Sequence, residues 1–282
     1  MNPRGPSDSR REAVPRTCRQ PRQSVIPPAS ALAIAPNLRE DALLLHSKGK
    51  TERVVWFGRR RNRRPDSPAG DGETEPTWQE EAALFQAGYA RVAGVDEAGR
   101  GAWAGPVVAA AVIVPPAAAP LLLWAGVRDS KQLTPAQRSQ LYEIICQAAE
   151  SVGVGIVPSA VIDEVGIVPA TRQAMGEAIA RLTPSPDHLL IDFMELPAVD
   201  VPQRAIVHGD GRCLSIAAAS IIAKVTRDRL MIALEAEYPG YGFARHKGYG
   251  TLAHRQALDE RGLCPAHRRT YGPIRQRLES RL

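Results

Sequence analysis

From Glu80 onward the chain alternates between two hydrophobic rhythms. EEAALFQAGY has helical spacing, and RVAGVD after it reads as a strand. PVVAAAVIVP, from Pro106 to Pro115, is an unbroken apolar run between prolines, which predicts a strand buried on both faces. LTPAQRSQLYEIICQAAES predicts a helix with Thr134 as N-cap and Pro135 at the first helical position. VGVGIV is a short strand and VPATRQAMGEAIARL a helix. HLLID and RAIVHGD are apolar strand runs that end on acids. CLSIAAASIIAKVTRDRLMIALEAEY is one long helix whose small residues allow close backbone packing. TLAHRQALDERG runs from Thr251 to a Gly262 C-cap. Strands alternating with helices indicate an α/β layer fold. No internal repeat is visible.

Residues 1–78 have no such rhythm. They are rich in Arg, Pro, Ser and Gln, and carry the run GRRRNRR followed by PDSPAGDGETEP. Such a composition buries too little apolar area to offset its chain entropy, so a largely disordered N-terminal extension is expected ahead of a domain over 79–282. The arginine run reads as a solvated tail, as the product of a start codon set too far upstream, as non-specific nucleic-acid contact or as a transit peptide.

Charge sharpens this division. The formal net charge is +6. Residues 1–70 hold 15 basic and 6 acidic residues, against 36 and 30 in the whole chain, which leaves 21 basic and 24 acidic in the remainder. The basic surplus therefore belongs to the extension alone. The 4 cysteines show no C-x-x-C spacing and the 6 histidines no ligand spacing, so reduced thiols in a cytoplasmic protein are expected and a zinc site is not. No apolar run approaches the ~20 residues that span a bilayer, and no secretory h-region is present.

The chemistry gathers in GVDEAGRGAWAGP. Asp96 and Glu97 run directly into Gly99-Arg100-Gly101. The glycine spacing is G-x-G-x-x-x-G, which fails the dinucleotide pattern, and the two acids would repel an unbridged pyrophosphate. Asp96, Asp192 and Asp210 each close an apolar run read as a strand. Strand ends are where α/β sheets collect ligands, although aspartates there also cap helices and form turns. Clustered carboxylates repel one another unless cations lie between them, and oxygen ligands select Mg²⁺ or Mn²⁺. Two such ions about 3.5–4 Å apart activate water and stabilise a leaving oxygen in phosphodiester cleavage.

With these residues in hand, the chain resembles the ribonuclease HII family from about Glu80 to its C-terminus. The resemblance rests on GVDEAGRGAWAGPVVAAAVIV, DSKQL, LLID, HGDGRCLSIAAASIIAKVTRDR, YGFARHKGYGT and HRRTYGPI, in the family's order. It implies an RNase H-like mixed β-sheet flanked by helices, with a small C-terminal helical subdomain. It also implies endonucleolytic cleavage of RNA in RNA–DNA hybrids and incision 5′ to single ribonucleotides in duplex DNA, leaving 3′-hydroxyl and 5′-phosphate ends, in ribonucleotide removal and DNA repair.

On the same ground, Asp96, Glu97, Asp192 and Asp210 are expected as the metal-binding and catalytic carboxylates of a two-metal Mg²⁺ or Mn²⁺ site. Gly99, Arg100 and Gly101 are expected to contact the ribose 2′-OH, the group that distinguishes RNA. Tyr249 is expected to sense the DNA step beyond a ribonucleotide by packing on its sugar. Lys131 and Lys224 are weaker candidates for phosphate contact, and Lys224 equally reads as snorkelling or as a carboxylate's partner. His246 and Lys247 read as a basic patch beside Tyr249. Asp129, Arg227 and Asp228 read as structural helix-end or ion-pair residues.

A monomer is expected, with a sliding-clamp contact through the C-terminal tail as a further partner. Phe193 stands where the family usually has glycine, His208 where lysine is common, and Gly211 and Cys213 where alanine and serine are usual. The sister enzyme ribonuclease HIII is the nearest alternative, but it usually carries lysine at position 100 and a folded N-terminal domain. A binding protein using this scaffold without catalysis would not need all the carboxylates.

Overall fold

The computed structural model describes residues 75–116 and 124–280. Residues 1–74, where almost all of the expected extension falls, lie outside the described residues, as do the last two of the C-terminal tail. Helix α1 (Gln79–Gln86) leads into β1 (Val92–Ala98) and β2 (Val107–Ile113). After them come α2 (Pro135–Ala148), β3 (Ser151–Val157), the short α3 (Ser159–Val165) and α4 (Ile167–Ala180). Strands β4 (His188–Asp192) and β5 (Gln203–Ile206) precede the long α5 (Leu214–Glu237). The chain then closes with α6 (Phe243–His246), α7 (Leu252–Arg261) and α8 (Gly272–Glu279).

The strands form one mixed sheet in the order β3-β2-β1-β4-β5. β1, β2 and β3 pair antiparallel, whereas β4 and β5 run parallel to β1. Burial on both faces explains the unbroken apolar run of β2, all of whose residues are buried. One face packs against α4, with Met175 and Ile179 set on Val95, Val107 and Leu189. The other packs against α2 and α5, around Ile145, Ile221 and Ile222. The expected α/β class and RNase H-like layering hold. The predicted N-cap also forms: Thr134 accepts from Gln137 N–H and the Gln137 side chain accepts in return, a reciprocal capping box.

Close helix–sheet approach is set by glycine at two places. A Cβ at Gly94 would lie 2.1 Å from the Ser215 carbonyl carbon, so the first turn of α5 rests directly on β1. Gly155 meets the Ala174 carbonyl oxygen at 1.9 Å in the same sense and seats α4 on β3. The start of α5 is fastened from below by Glu81 of α1. This fully buried carboxylate accepts from Ser215 N at 2.8 Å and from Ser215 Oγ at 2.6 Å. A carboxylate at a helix N-terminus satisfies amides that the helix leaves unpaired.

Two boundary expectations need correction. β1 continues through Ala98, so Asp96 lies inside the strand, opposite Ala110, rather than at its end. β5 ends at Ile206, and Asp210 sits on a separate 3₁₀ turn over Gly209–Gly211. His208 takes a left-handed conformation (φ 55°) between them, which breaks the strand before the acid. Among the described residues no helix is long and apolar enough to cross a membrane.

Candidate active site

The sheet order puts β1 beside β4, and this adjacency brings the acids together. Asp96 and Glu97 come from β1, Asp192 from the end of β4, and Asp210 from the turn after β5. Asp192 accepts from Gly209 N–H at 2.7 Å, which ties the Asp210 turn to β4. Asp96 accepts from the Glu97 amide at 2.6 Å. Asp96 is 4% exposed and Asp210 6%, so both carboxylates have little solvent to share their charge with.

The electrostatics follow from that burial. Burial raises the Asp96 pKa well above the ordinary carboxylate value, and the Glu97 and Asp192 charges add to it. Burial also raises Glu97, although Arg100 pulls against it. Asp192 is raised by burial and by Asp210, with the Gly209 amide opposing. Glu97 Oε2 is buried and has no hydrogen-bond partner among the described residues. Among them, too, no three Asp, Glu, His or Cys side chains are already closed around one metal position. The carboxylates are instead drawn to protein partners: Lys131 Nζ reaches Asp210 at 2.9 Å and Arg100 reaches Glu97 at 3.3 Å. Burial lowers the affinity of Lys131 for its proton, but the bond and charge of Asp210 outweigh it and raise the pKa above its usual value.

The glycines of the loop serve different purposes. Gly99 has φ 96°, and a Cβ there would collide with the Arg227 guanidinium at 1.9 Å, so packing alone requires glycine. Nothing lies within 4 Å of the Cβ position at Gly101. Gly101 is exposed and is the member of the pair left open for a ligand's approach.

Tyr249 is 39% exposed, with its ring under Arg227 at 5.5 Å. It borders a groove of about 400 Å³ whose cations are Arg138, Lys224, Arg229, Arg245 and Lys247. Lys224 pairs with Asp228 at 2.8 Å, the partner reading of that residue. Asp129 caps the turn holding Lys131, and Asp228 joins the Lys224 pair, so both act structurally as expected. His246 does not add charge to a basic patch: its ring accepts from Gly248 N–H, and burial lowers its pKa.

A model of the ribonuclease HII family matches residues 93–272. The chain belongs to the ribonuclease HII family. Ribonuclease HII of Dehalococcoides mccartyi is 54% identical over 200 residues, covering 71% of this chain and 94% of the relative. The crystal structure of ribonuclease H2 from Pyrococcus horikoshii matches with a TM-score of 0.61 at 30% identity, over 67% of this chain and 98% of that one. The ribonuclease HII in the PCNA complex from Archaeoglobus fulgidus matches with a TM-score of 0.56 at 28% identity, over 64% and 95%. Membership makes the chain a ribonuclease H-type hydrolase, an endoribonuclease directed at RNA–DNA hybrids.

Against that family, Phe193 acquires a structural reading. It has φ 64°, a left-handed conformation that favours glycine, and it is 60% exposed, with its ring 5.9 Å from the Arg100 guanidinium carbon. The strain in such a residue is about 1–2 kcal/mol. Glycine adds about 0.5–1 kcal/mol of unfolded-chain entropy. The exposed ring has little packing to lose, so Phe193→Gly is expected to raise Tm by about 2–4 °C in a thermal melt.

Two buried arginines hold the loops: Arg227, read from the sequence as a structural residue but here bonded to backbone carbonyls rather than to an acid, and Arg268, which the sequence reading missed. Arg227 is fully buried and donates to the carbonyls of Pro106 (2.9 Å), Lys247 (3.0 Å) and Ala104 (3.2 Å). Arg268, also buried, donates to Gly105 and Arg100 carbonyls at 3.0 and 2.9 Å. Together they clamp residues 99–106 to the loop bearing Tyr249. The available signal was position: Arg227 interrupts the otherwise apolar face of α5.

Proposed function

We propose that this ribonuclease HII cuts 5′ to single ribonucleotides in duplex DNA as well as within RNA–DNA hybrids, with Mg²⁺ or Mn²⁺ held by Asp96, Glu97, Asp192 and Asp210. The observation that carries the reading is the convergence of mutually repelling, buried carboxylates beside the open Gly101 backbone. The donor set is all oxygen, and Glu97 Oε2 lacks a partner among the described residues, both of which fit a hard divalent cation. When bound, such ions supply Lewis acidity and a water of lowered pKa, so no side-chain nucleophile is required.

The protein's own groups do the selecting. Arg100, one-third exposed, is free on its outer edge to grip a phosphate while its inner edge holds Glu97. Gly101 lets backbone groups approach the 2′-OH. Lys131 pairs with Asp210 and brings positive charge to the site. Tyr249 offers a half-exposed ring for the sugar beyond the ribonucleotide. The cations of the adjacent groove suit the phosphates of that DNA segment. Cleavage 5′ to the ribonucleotide would leave 3′-hydroxyl and 5′-phosphate ends, the products a ribonucleotide-removal pathway needs. The free thiols of Cys146, Cys213 and Cys264 accord with a reducing, cytoplasmic setting. Contact with a sliding clamp, placed by the sequence reading on the C-terminal tail, is supported as a partner by the PCNA complex of the Archaeoglobus relative.

The test is a duplex carrying one ribonucleotide beside an all-DNA control and a long hybrid. Cutting at the 5′ side of the ribonucleotide alone is expected; cutting of the long hybrid only would overturn the reading and favour a ribonuclease HIII-like specificity. Tyr249→Ala is expected to lose roughly tenfold more rate on the single-ribonucleotide duplex than on the hybrid, the scale of one lost stacking contact. Equal losses would remove the junction role.

A further inference from the structure

Three histidines lie behind Tyr249 in the small C-terminal cluster, and their hydrogen bonds fix every ring proton. His254 is fully buried, and its Nδ1 lies 3.0 Å from the Tyr249 carbonyl, which only accepts; Nδ1 therefore carries the proton. His254 Nε2 faces His267 Nε2 at 3.1 Å, so His267 must donate there. His267 Nδ1 is left as an acceptor, and it receives the Cys264 amide at 3.0 Å with the Cys264 thiol at 3.1 Å. The Cys264 carbonyl, 3.2 Å from the same nitrogen, is already satisfied by the His267 amide at 3.1 Å. His246 stacks on His254 with centroids 4.4 Å apart. Its Nε2 donates to the Tyr241 carbonyl at 2.7 Å, and its Nδ1 accepts from Gly248 N–H at 3.2 Å. Tyr249 N–H donates to the His246 carbonyl at 3.0 Å, so the tyrosine's backbone is held at both ends.

We propose that His254, His267 and His246 form a proton-ordered relay of neutral imidazoles that positions Tyr249 and thereby sets the preference for a single ribonucleotide over a continuous hybrid. The inference rests on the junction role of Tyr249 given above. The histidines touch no substrate and are positioning residues. A second proton anywhere in the relay turns an acceptor into a donor and sets N–H against N–H. Among the described residues no acid acts on His254 to offset it: its titratable neighbours are His246 and His267, and its one charged neighbour is Arg277 of α8, itself paired with Asp259. Arg245 and Glu235 face His246, and Tyr241 and Cys264 border His267. Burial pulls the pKa of both His254 and His267 down to about 4, in keeping with rings that stay neutral. For groups depressed in the fold, the stabilising term is complete above the unfolded value near 6.5 and fades as pH falls towards about 4.

The test uses the full chain labelled with ¹⁵N-histidine. Its long-range imidazole spectra are expected to show His254 as the Nδ1–H tautomer and His267 and His246 as Nε2–H, with His254 and His267 uncharged at pH 6. An imidazolium at His254 or His267 at that pH, or the reverse tautomers, overturns the relay whatever Tyr249 does. In cleavage assays His254→Ala is expected to lower the single-ribonucleotide to long-hybrid rate ratio roughly tenfold, as loss of an outer supporting partner does. His254→Asn, whose amide keeps a donor near the Nδ1 position, is expected to restore most of that ratio. If Tyr249→Ala shifts the ratio but His254→Ala, folded by its amide spectrum, does not, the relay is wrong. If Tyr249→Ala itself leaves the ratio unchanged while the tautomers are as given, the junction reading fails and the specificity claim falls with it, leaving only the protonation order.

Discussion

Asp96→Asn is expected to lower cleavage roughly 100-fold or more, beyond the 10–100-fold that loss of a merely supporting partner costs a metal site. It is also expected to leave the metal-free protein as stable as before or more so. Asp96 is 4% exposed, and its charge is opposed by burial and by Glu97 and Asp192. Asparagine keeps an oxygen for the Glu97 amide, removes one charge from a crowded set and changes little in volume. Two measurements separate this from damage to the fold. Melting in chelator should give the variant an equal or higher Tm. Adding Mn²⁺ or Mg²⁺ should raise Tm in the wild type and markedly less in the variant, since only a state that binds the ion is stabilised by it. A variant that cuts at the normal rate, or that melts well below wild type in chelator, would contradict the assignment of Asp96.

The carboxylates were legible in the sequence because each follows a distinctive apolar run, and β2 because burial on both faces leaves an unbroken run. Their placement was less legible. Nothing local distinguishes Asp96 inside a strand from Asp192 at the end of one, because hydrogen bonding to β2 carries β1 two residues past the expected stop. Asp210 looked like a strand end because RAIVHGD is apolar up to Val207. The break is made by His208 in a left-handed conformation, which a propensity argument does not anticipate for histidine. Gly99 and Gly101 looked equivalent, yet one is required by Arg227 and the other faces open space. That difference depends on a residue more than a hundred positions away, which no window of sequence contains. Glu81 and the histidine relay escaped notice for the same reason, since their partners are assembled only by the fold.

Arg227→Met is expected to be the most destabilising single change in the catalytic domain outside its apolar core. The side chain is fully buried and donates to three backbone carbonyls, of Pro106, Lys247 and Ala104. Burial pulls its pKa down to about 10, with the nearby Arg268 adding to the effect, and it remains charged at neutral pH. Its charge is spread over three hydrogen bonds that it donates, and among the described residues no acid pairs with it. Methionine fills much of the volume but supplies no donor, and each buried acceptor left unsatisfied costs about 1–3 kcal/mol. The expected loss is about 3–6 kcal/mol. That corresponds to a fall in Tm of roughly 10 °C or more. Arg227→Lys should recover little, because one ammonium on a flexible stem cannot span three carbonyls that a planar guanidinium fork reaches at once. The loss should also appear in cleavage below the melting range, since the same three bonds join Ala104 and Pro106, just after the Gly99-Arg100-Gly101 loop, to Lys247 of the loop carrying Tyr249. A lysine variant with wild-type Tm and rate would show that the cavity tolerates a single donor, and that the two loops keep their spacing without the clamp.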